Sequence, residues 1–436
     1  MNAPRRVGDA LNAALGTLLA EDPALYLLGE DIADPYGGAF GITRGLSTRF
    51  PRQVITTPIS EAGIVGVANG LALAGDKVIV EMMFADFVAL AFDQIVNFAA
   101  KSTTMYGHPV PMPVVVRCPT GGNRGYGPTH SQSPQKHFIG VPGLDVYELT
   151  PYHDPADLLR EMLGSGRPAL LFEDKTLYTA PLRDALELFP AAPPQAAGPA
   201  RGVPTPQTPH APLRDALELF PAAPPQAAGP ARGVPTPRTP HAPLRDALEL
   251  FPAAPPQAAG PARGVPTPRT PHAPLRDALE LFAVTHTGGF AAVRVDDDTP
   301  ADDYLLVTPG GPAGRATAAM RTLLLRYELS GRLLVPARLH PLDIEPLLPL
   351  AAAARRVLVV EDGPPGAAWG TEVAYRLQQA LWGTPSGPVR LVQAADAVIP
   401  TAAHLERGVL VQQDTIVRAV LEADPWPLRS AAEATA

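Results

Sequence analysis

Two stretches of the chain alternate between helical and strand-like patterns of apolar residues. Within 7–178 and again within 303–420, apolar runs of strand length are separated by segments whose apolar residues recur every three or four positions. Such alternation is typical of α/β domains built on largely parallel sheets. The sequence therefore predicts two doubly wound α/β sheet domains. The predicted helices are 7–20, 61–74, 155–163 and 313–327, and the predicted strands are 25–28, 53–56, 78–81, 114–117, 169–172, 304–308, 333–336 and 357–361.

A further helix is predicted near the middle of the first domain. Its apolar positions are spaced three or four apart, and they are Phe87, Leu90, Ala91, Ile95 and Phe98. Residues at this spacing lie on one side of an α-helix. The pattern therefore predicts one helix with a single apolar face.

A tandem repeat lies between the two predicted domains. The segment PLRDALELF begins at positions 181, 212, 243 and 274, so the period is 31 residues. The three full copies differ only at position 207, and each contains 8 of the 54 prolines of the chain. Proline, alanine and glycine at this density cannot propagate a helix or a strand ladder, which argues against a solenoid. The array is predicted to be a disordered Pro-rich linker, with an interaction array as the alternative.

The repeat sets the domain organisation that we expect. Without the three copies, the rest of the chain suits two domains joined by an ordinary connection. The predicted parts are a first domain at 1–180, the repeats at 181–273, a linker at 274–302 and a second domain at 303–425.

Composition narrows the class of protein. The net charge is −8 and the pI is about 5.7, so neither nucleic acid nor an anionic membrane surface is an expected partner. No run of 18 apolar residues occurs, and residues 1–9 lack the apolar core of a signal peptide. Cys118 is the single cysteine, which excludes an internal disulfide and favours a reducing, cytoplasmic location.

Three loops of the first domain carry candidate chemistry. They follow predicted strands, and parallel sheets bind ligands outside the carboxyl ends of their strands. Taken alone, each signal is ambiguous. Glu61 could be a first-turn acid favoured by the helix dipole, and His130 could be a capping or surface histidine. Met83 and Phe87 are more often core residues than cofactor contacts.

The order and spacing of several longer motifs resemble one enzyme family, the β subunits of the pyruvate and branched-chain 2-oxo acid dehydrogenases. The resemblance covers residues 5–178 well and 303–420 more loosely. In the first domain the motifs are 57–66 (TPISEAGIVG), 84–87 (FADF), 91–97 (AFDQIVN), 99–101 (AAK), 130–133 (HSQS), 142–144 (PGL) and 172–178 (FEDKTLY). In the second domain they are 341–343 (PLD), 361–362 (ED), 370–373 (GTEV), 399–400 (IP) and 405–406 (LE).

This resemblance implies a transketolase-like pyrimidine-binding domain followed by a transketolase-like C-terminal domain. It implies thiamine diphosphate as cofactor, with Glu61 hydrogen-bonded to the aminopyrimidine ring. Met83 and Phe87 would pack on that ring, and Ile59 would lie at the same wall. His130 would lie over the thiazolium and act in acid–base or orienting work. The implied reaction is oxidative decarboxylation of a 2-oxo acid, followed by acyl transfer to lipoyl groups.

Half of the implied cofactor site is missing from the sequence. The family's diphosphate-binding chain carries a Gly-Asp-Gly motif and an Asn that hold magnesium, and no Gly-Asp-Gly occurs here. The resemblance therefore implies an α-type subunit that supplies magnesium and diphosphate binding in an α2β2 heterotetramer. It also implies a dihydrolipoyl acyltransferase core as a partner, and no metal site of this chain's own.

The sequence also departs from the family at a monovalent-cation site. Many relatives have an Asp and an Asn there, where this chain has Ser165 and Arg167. An arginine could take the place of the ion, so binding of potassium is not expected.

Two other functions stay open. One is a transketolase-like or acyloin-forming thiamine-diphosphate enzyme split over two chains. The other is an inactive scaffold subunit whose Pro-rich array recruits partners, although retention of both Glu61 and His130 counts against it.

Overall fold

The computed structural model of the chain describes residues 6–182, 282–295, 302–383 and 388–423. The predicted disordered linker, 181–273, lies outside the described residues except for Pro181 and Leu182. The strands are β1 (Leu25–Glu30), β2 (Val54–Thr57), β3 (Lys77–Glu81), β4 (Val114–Thr120), β5 (Asp145–Glu148), β6 (Ala169–Asp174), β7 (Phe282–Thr287), β8 (Phe290–Val295), β9 (Tyr304–Val307), β10 (Gly331–Pro336), β11 (Arg338–His340), β12 (Val357–Val360) and β13 (Arg390–Val392).

The helices alternate with these strands. The α-helices are α1 (Val7–Glu21), α2 (Leu46–Arg49), α3 (Glu61–Leu73), α4 (Ala100–Ser102), α5 (Pro155–Gly164), α6 (Gly310–Tyr327), α7 (Leu348–Ala353), α8 (Trp369–Ala380), α9 (Ala403–Val409) and α10 (Gln413–Glu422). Short 3-10 helices lie at Ala85–Ala91, Pro134–His137, Leu177–Thr179 and Glu345–Leu347, and a π-helix lies at Gln94–Ala99. Apart from the helix predicted around residues 87–98, each predicted helix and strand is confirmed, with ends shifted by at most three residues. None of the described helices combines the length and the apolar character that a membrane span requires.

The first sheet has seven strands in the order β11-β5-β6-β4-β3-β1-β2. All neighbouring pairs are parallel except β11 with β5. Every residue of the central strand β4 is buried, as expected for a parallel strand covered on both faces. Helix α5 begins at Pro155 after Asp154, whose side chain accepts a hydrogen bond from the Ala156 amide at 2.7 Å. Because the strands are parallel, the loops that carry the candidate chemistry meet at one edge of this sheet.

The segment after β3 corrects one prediction. Residues 85–99 form a 3-10 helix and then a π-helix, so the prediction of one regular α-helix is wrong. A 3-10 helix has three residues per turn, and it buries Ala85, Val88 and Ala91 at that spacing. Leu90, expected on the apolar face, is 62% exposed for this reason. Ile95 on the following π-helix is buried as predicted.

The second sheet has six strands in the order β13-β12-β9-β10-β8-β7. Its first four strands are parallel, and β8 and β7 extend it as an antiparallel hairpin. The prediction that 274–302 is a linker is therefore wrong for residues 282–295. The hairpin turns at Gly288 and Gly289, which have φ values of +57° and +83°. Glycines at both turn positions suit the twist of a two-residue hairpin, and this signal in the sequence was missed.

A buried carboxyl joins the first sheet to helix α6. Glu148, the last residue of β5, is 2% exposed, and it accepts hydrogen bonds from the Gly311 amide at 2.6 Å and from Gln135 Nε2 at 2.9 Å. Burial raises the pKa of Glu148 to about 8, although both hydrogen bonds oppose the shift. The carboxyl is therefore protonated at neutral pH in the folded chain.

Replacement of Glu148 by glutamine is expected to stabilise the protein more at pH 8 than at pH 5. An unfolded glutamate loses its proton near pH 4.5, whereas Glu148 keeps it up to about pH 8 when folded. Unfolding therefore releases a proton in this window, and the free energy of unfolding falls as pH rises, by about 1.4 kcal/mol per pH unit at most. Thermal melts across this range should show a Tm difference that grows with pH.

The matched control for this experiment is Glu422→Gln, which changes a glutamate whose side chain is 58% exposed. Its Tm difference from the wild type should be small at every pH. A constant Tm difference for Glu148→Gln between pH 5 and pH 8 would contradict the raised pKa.

Candidate active site

The carboxyl edge of the first sheet brings the candidate loops together. Strands β1, β2, β3, β4 and β6 are parallel neighbours in the sheet, so all of them end at this edge. The loops that follow carry Glu61, Met83, the glycine-rich segment 121–127 and Lys175. This edge is where a sheet of this kind binds ligands.

Glu61 is the first residue of α3, and its side chain is 7% exposed. Within the described residues its carboxyl makes no hydrogen bond, so its oxygens are available to a ligand. A second buried acid, Glu30 at the end of β1, lies close enough for their charges to interact. Burial, and then the charge of Glu61, raises the pKa of Glu30, whose Oε1 has no hydrogen-bond partner. The pair therefore offers unsatisfied carboxyl oxygens at the sheet edge.

An aromatic cluster surrounds His130. The imidazole meets the Phe84 ring edge-on, with centroids 4.6 Å apart, and the Phe87 ring at 5.3 Å. Phe84 also contacts Tyr126 at 5.9 Å. The hydroxyl of Thr129 lies 2.8 Å from His130 Nδ1, so among the described residues only this ring nitrogen is engaged. His130 Nε2 is therefore the nitrogen that can meet a ligand.

The structure brings some of the sequence-predicted residues together and not others. Phe87 and His130 are in contact, and the 3-10 helix that contains Phe87 packs against α3, the helix that begins at Glu61. Met83 is half-buried immediately before Phe84. Ile59 is 79% exposed, so in this chain alone it lies on the surface.

Lys175 is a residue of this edge whose chemistry the sequence analysis missed. Its side chain is fully buried, and Nζ lies 5.6 Å from the centre of the Phe84 ring without a hydrogen-bond partner. Burial lowers the pKa of Lys175 to about 8, against the opposing charges of Asp174 and Asp86. The sequence does place Lys175 directly after β6. Its burial, however, depends on contacts that only the folded structure shows.

Ser165 and Arg167, the two residues that depart from the family pattern, both make defined contacts. Arg167 Nη2 lies 2.5 Å from Oδ1 of the fully buried Asp145, and Arg338 Nη2 lies 3.0 Å from the same oxygen. The Ser165 hydroxyl donates to the Met162 carbonyl at 2.8 Å. Two guanidinium groups therefore neutralise this buried carboxylate.

Two family matches agree with this architecture. Residues 4–181 match the transketolase pyrimidine-binding domain, and residues 293–416 match the transketolase C-terminal domain. The chain therefore belongs to the transketolase-like proteins that combine these two domains.

Within that class, the chain is similar to β subunits that act in oxidoreductases. It is 40% identical over 170 residues to the pyruvate dehydrogenase E1 component subunit beta of Leifsonia xyli, a match that covers 39% of this chain and 50% of that protein. It is 40% identical over 180 residues to the 2-oxoisovalerate dehydrogenase subunit beta 2 of Arabidopsis thaliana, covering 41% and 50%. It is 36% identical over 184 residues to the acetoin:2,6-dichlorophenolindophenol oxidoreductase subunit beta of Bacillus subtilis, covering 39% and 54%. The chain thus spans about half the length of the curated relatives it matches.

A solved structure confirms the fold. A split gene transketolase, described as an inactive beta4 tetramer, aligns with a TM-score of 0.54 and 15% identity. The alignment covers 97% of this chain and 98% of that one. At this identity the likeness establishes the transketolase-like fold alone.

Proposed function

We propose that this chain is the β-type subunit of the decarboxylating component of a 2-oxo acid dehydrogenase complex. The observation that carries the proposal is Glu61, a buried carboxyl without a hydrogen-bond partner among the described residues, at the start of α3 in a pyrimidine-binding domain. The named relatives support it, because pyruvate and 2-oxoisovalerate dehydrogenase β subunits match this domain at 40% identity.

The residues at the sheet edge fit the pyrimidine half of thiamine diphosphate. That ring offers a nitrogen to a carboxyl and two apolar faces, and the edge holds unpaired carboxyl oxygens beside half-buried apolar side chains. Glu61 would share a proton with the ring nitrogen, while Met83 and Phe87 would contact the ring and exclude water. Ile59, exposed in this chain, would form the outer wall of the cleft.

Bound thiamine diphosphate would supply the nucleophilic carbon that attacks the 2-oxo group and stores electrons after carbon dioxide leaves. His130 would then move a proton through Nε2 when the acyl group passes to a lipoyl arm. The Thr129 contact at Nδ1 would hold the imidazole in one orientation for this step.

The same proposal includes partners. The sequence has no Gly-Asp-Gly motif, so an α-type subunit would bind magnesium and the diphosphate, in an α2β2 heterotetramer. A dihydrolipoyl acyltransferase core would accept the acyl group. Arg167 would replace a monovalent cation at Asp145. The single cysteine supports a cytoplasmic location.

A second candidate function has its own support. The relatives from Bacillus subtilis and Cupriavidus necator are named for acetoin, and they are 36% and 37% identical to this chain. A thiamine-diphosphate subunit acting on an acyloin would use Glu61 and the aromatic cluster in the same way. The two functions differ in substrate.

The experiment is co-expression with an α-type chain from the same organism. The isolated chain should bind thiamine diphosphate and magnesium only weakly by titration calorimetry, because it lacks the metal site, whereas the assembled complex should bind both tightly. Dye reduction is then measured with pyruvate, branched-chain 2-oxo acids, acetoin and sugar phosphates. Turnover of a 2-oxo acid is the expected result.

Other outcomes would count against the proposal. Micromolar binding of the cofactor by the isolated chain would contradict the division of the site between two subunits. Turnover of acetoin alone would favour the second function, and turnover of sugar phosphates would favour a split transketolase.

A further inference from the structure

The glycine-rich loop before His130 has an unusual backbone. Gly121, Asn123, Gly125 and Gly127 all have positive φ values, of +82°, +62°, +72° and +78°. A backbone that enters the left-handed region at every second residue forms neither a helix nor a strand. Regular backbone hydrogen bonds therefore do not hold this loop in one shape. The contacts around the loop must therefore determine where it places His130.

Much of that surrounding surface belongs to the C-terminal domain. A Cβ atom on Gly122 would lie 2.5 Å from Leu410 Cδ1, and one on Gly127 would lie 2.5 Å from Thr401 Oγ1. Gln412 Nε2 donates a hydrogen bond to Asn123 Oδ1 at 3.1 Å. The glycines are thus required where residues 401–412 approach the loop backbone.

Glu406 on α9 makes the central contact. Its side chain is 1% exposed, and Oε2 accepts a hydrogen bond from the Gly125 amide at 3.1 Å. Its Oε1 has no hydrogen-bond partner and would lie 3.0 Å from a Cβ atom on Gly122. Burial of a carboxylate is costly unless charges and donors compensate for it, so this position is sensitive to change.

A second buried charge near the loop is Lys175. Its buried amino group forms no ion pair among the described residues, but the charges of Asp174, Asp86 and Glu406 act on it and raise its pKa against burial, while Arg124 on the loop lowers it. Arg124 also donates to the Lys175 carbonyl at 2.5 Å. The charges around the loop therefore come from both domains of the chain.

The first domain holds the far end of the loop. Asp86 Oδ1 accepts a hydrogen bond from Gln132 Nε2 at 2.8 Å, just beyond His130. The Gly121 amide donates to the Gln132 carbonyl at 3.1 Å, which closes the base of the loop. The middle of the loop, around Gly125, is held instead by Glu406.

We propose that Glu406 is a positioning residue, which holds the glycine-rich loop from the C-terminal domain and so sets the place of His130. A residue 281 positions away from Gly125 would then control catalytic geometry that the first domain does not fix by itself. The effect of Glu406 on catalysis by His130 rests on the proposed function, whereas its contact with the loop does not.

The first test measures hydrogen–deuterium exchange of the amides in residues 121–130 of the full chain. Glu406→Ala removes the acceptor of the Gly125 amide, so exchange there is expected to become about tenfold faster. Glu406→Gln keeps an oxygen at the same place and should restore most of the protection. Glu422→Ala, a change at a 58% exposed glutamate, is the control and should leave this exchange unchanged.

Wild-type exchange rates in Glu406→Ala would overturn the proposal. If the alanine variant does not fold, Glu406→Asp gives the same readout, because it keeps the charge but withdraws the carboxylate by one methylene group. Faster exchange in the aspartate variant supports the hold on the loop, and unchanged exchange refutes it.

The second test uses the complex with the α-type chain. In Glu406→Ala, kcat for acylation of a lipoyl domain should fall by about tenfold or more, because small displacements of a catalytic group are costly. KM for the 2-oxo acid and turnover with an artificial acceptor should change little, and Glu406→Gln should rescue the transfer. Equal losses in both assays would show a general structural defect and overturn the role.

No turnover by the wild-type complex would refute the proposed function, while the exchange experiment would still decide the role of Glu406 in the loop.

Discussion

Replacement of Glu61 by alanine is expected to slow exchange of the thiazolium C2 proton of thiamine diphosphate by about a thousandfold in the assembled complex. The physical reason is that Glu61 is 7% exposed and its carboxyl makes no hydrogen bond among the described residues, so it is available to hydrogen-bond a ring nitrogen. Without it, the ring loses the group that shares its proton. Quenched-flow exchange in deuterium oxide, followed by proton NMR of the cofactor, measures the rate.

Two variants separate chemistry from assembly. Glu61→Gln keeps the size of the side chain but cannot share a proton, so its exchange should be nearly as slow as that of Glu61→Ala. Glu21→Ala removes a 53% exposed glutamate at the end of α1 and should exchange at the wild-type rate. Both Glu61 variants should still assemble with the α-type chain. Wild-type exchange in Glu61→Ala would refute the assignment of this residue.

Replacement of Arg117 by methionine is expected to cause the largest loss of stability. Arg117 is fully buried in β4, and it donates through Nε and Nη2 to Glu173 at 2.7 Å and 2.9 Å, and through Nη1 to Glu81 at 2.7 Å. Removal of one partner from a buried ion network leaves uncompensated charge, which costs about 3–5 kcal/mol. That cost lowers Tm by roughly 5–8 °C in a protein of this size.

The chain offers a matched control for Arg117. Arg160 also contacts two acids, Glu21 and Asp157, but its side chain is 44% exposed. Exposed pairs of this kind contribute about 1 kcal/mol or less, so Arg160→Met should change Tm only slightly. Adding Glu81→Gln and Glu173→Gln to Arg117→Met should recover part of the lost stability. A Tm for Arg117→Met close to that of the wild type would contradict the role of the network.

The sequence predicts the regular elements well because most strands are continuous apolar runs. It misses β5, where Asp145 and Glu148 stand at the two ends and are both buried. Charged residues predict exposure unless their partners are known, and here those partners include Arg167, Arg338 and the Gly311 amide. No local pattern contains such contacts.

The residues of the candidate site also divide into those that the sequence reveals and those that only the structure reveals. Glu61 and His130 stand in long motifs, so a resemblance to known proteins is enough to select them. Lys175 and Glu406 also lie within the motifs that carry the resemblance, but their importance depends on contacts with residues far away in the sequence. Glu406 meets Gly125 across 281 positions of sequence, and Lys175 meets Phe84 from another strand. Spacing along the chain cannot reveal either contact.

Strand β11 has a consequence for how the chain is made. Residues Arg338–His340 complete the first sheet by pairing with β5, although they follow the whole repeat array in the sequence. During synthesis, the edge of β5 must therefore wait unpaired while more than a third of the chain emerges from the ribosome. Exposed strand edges attract other strands, so the nascent protein carries an aggregation-prone edge throughout that interval. A longer array would prolong this exposure.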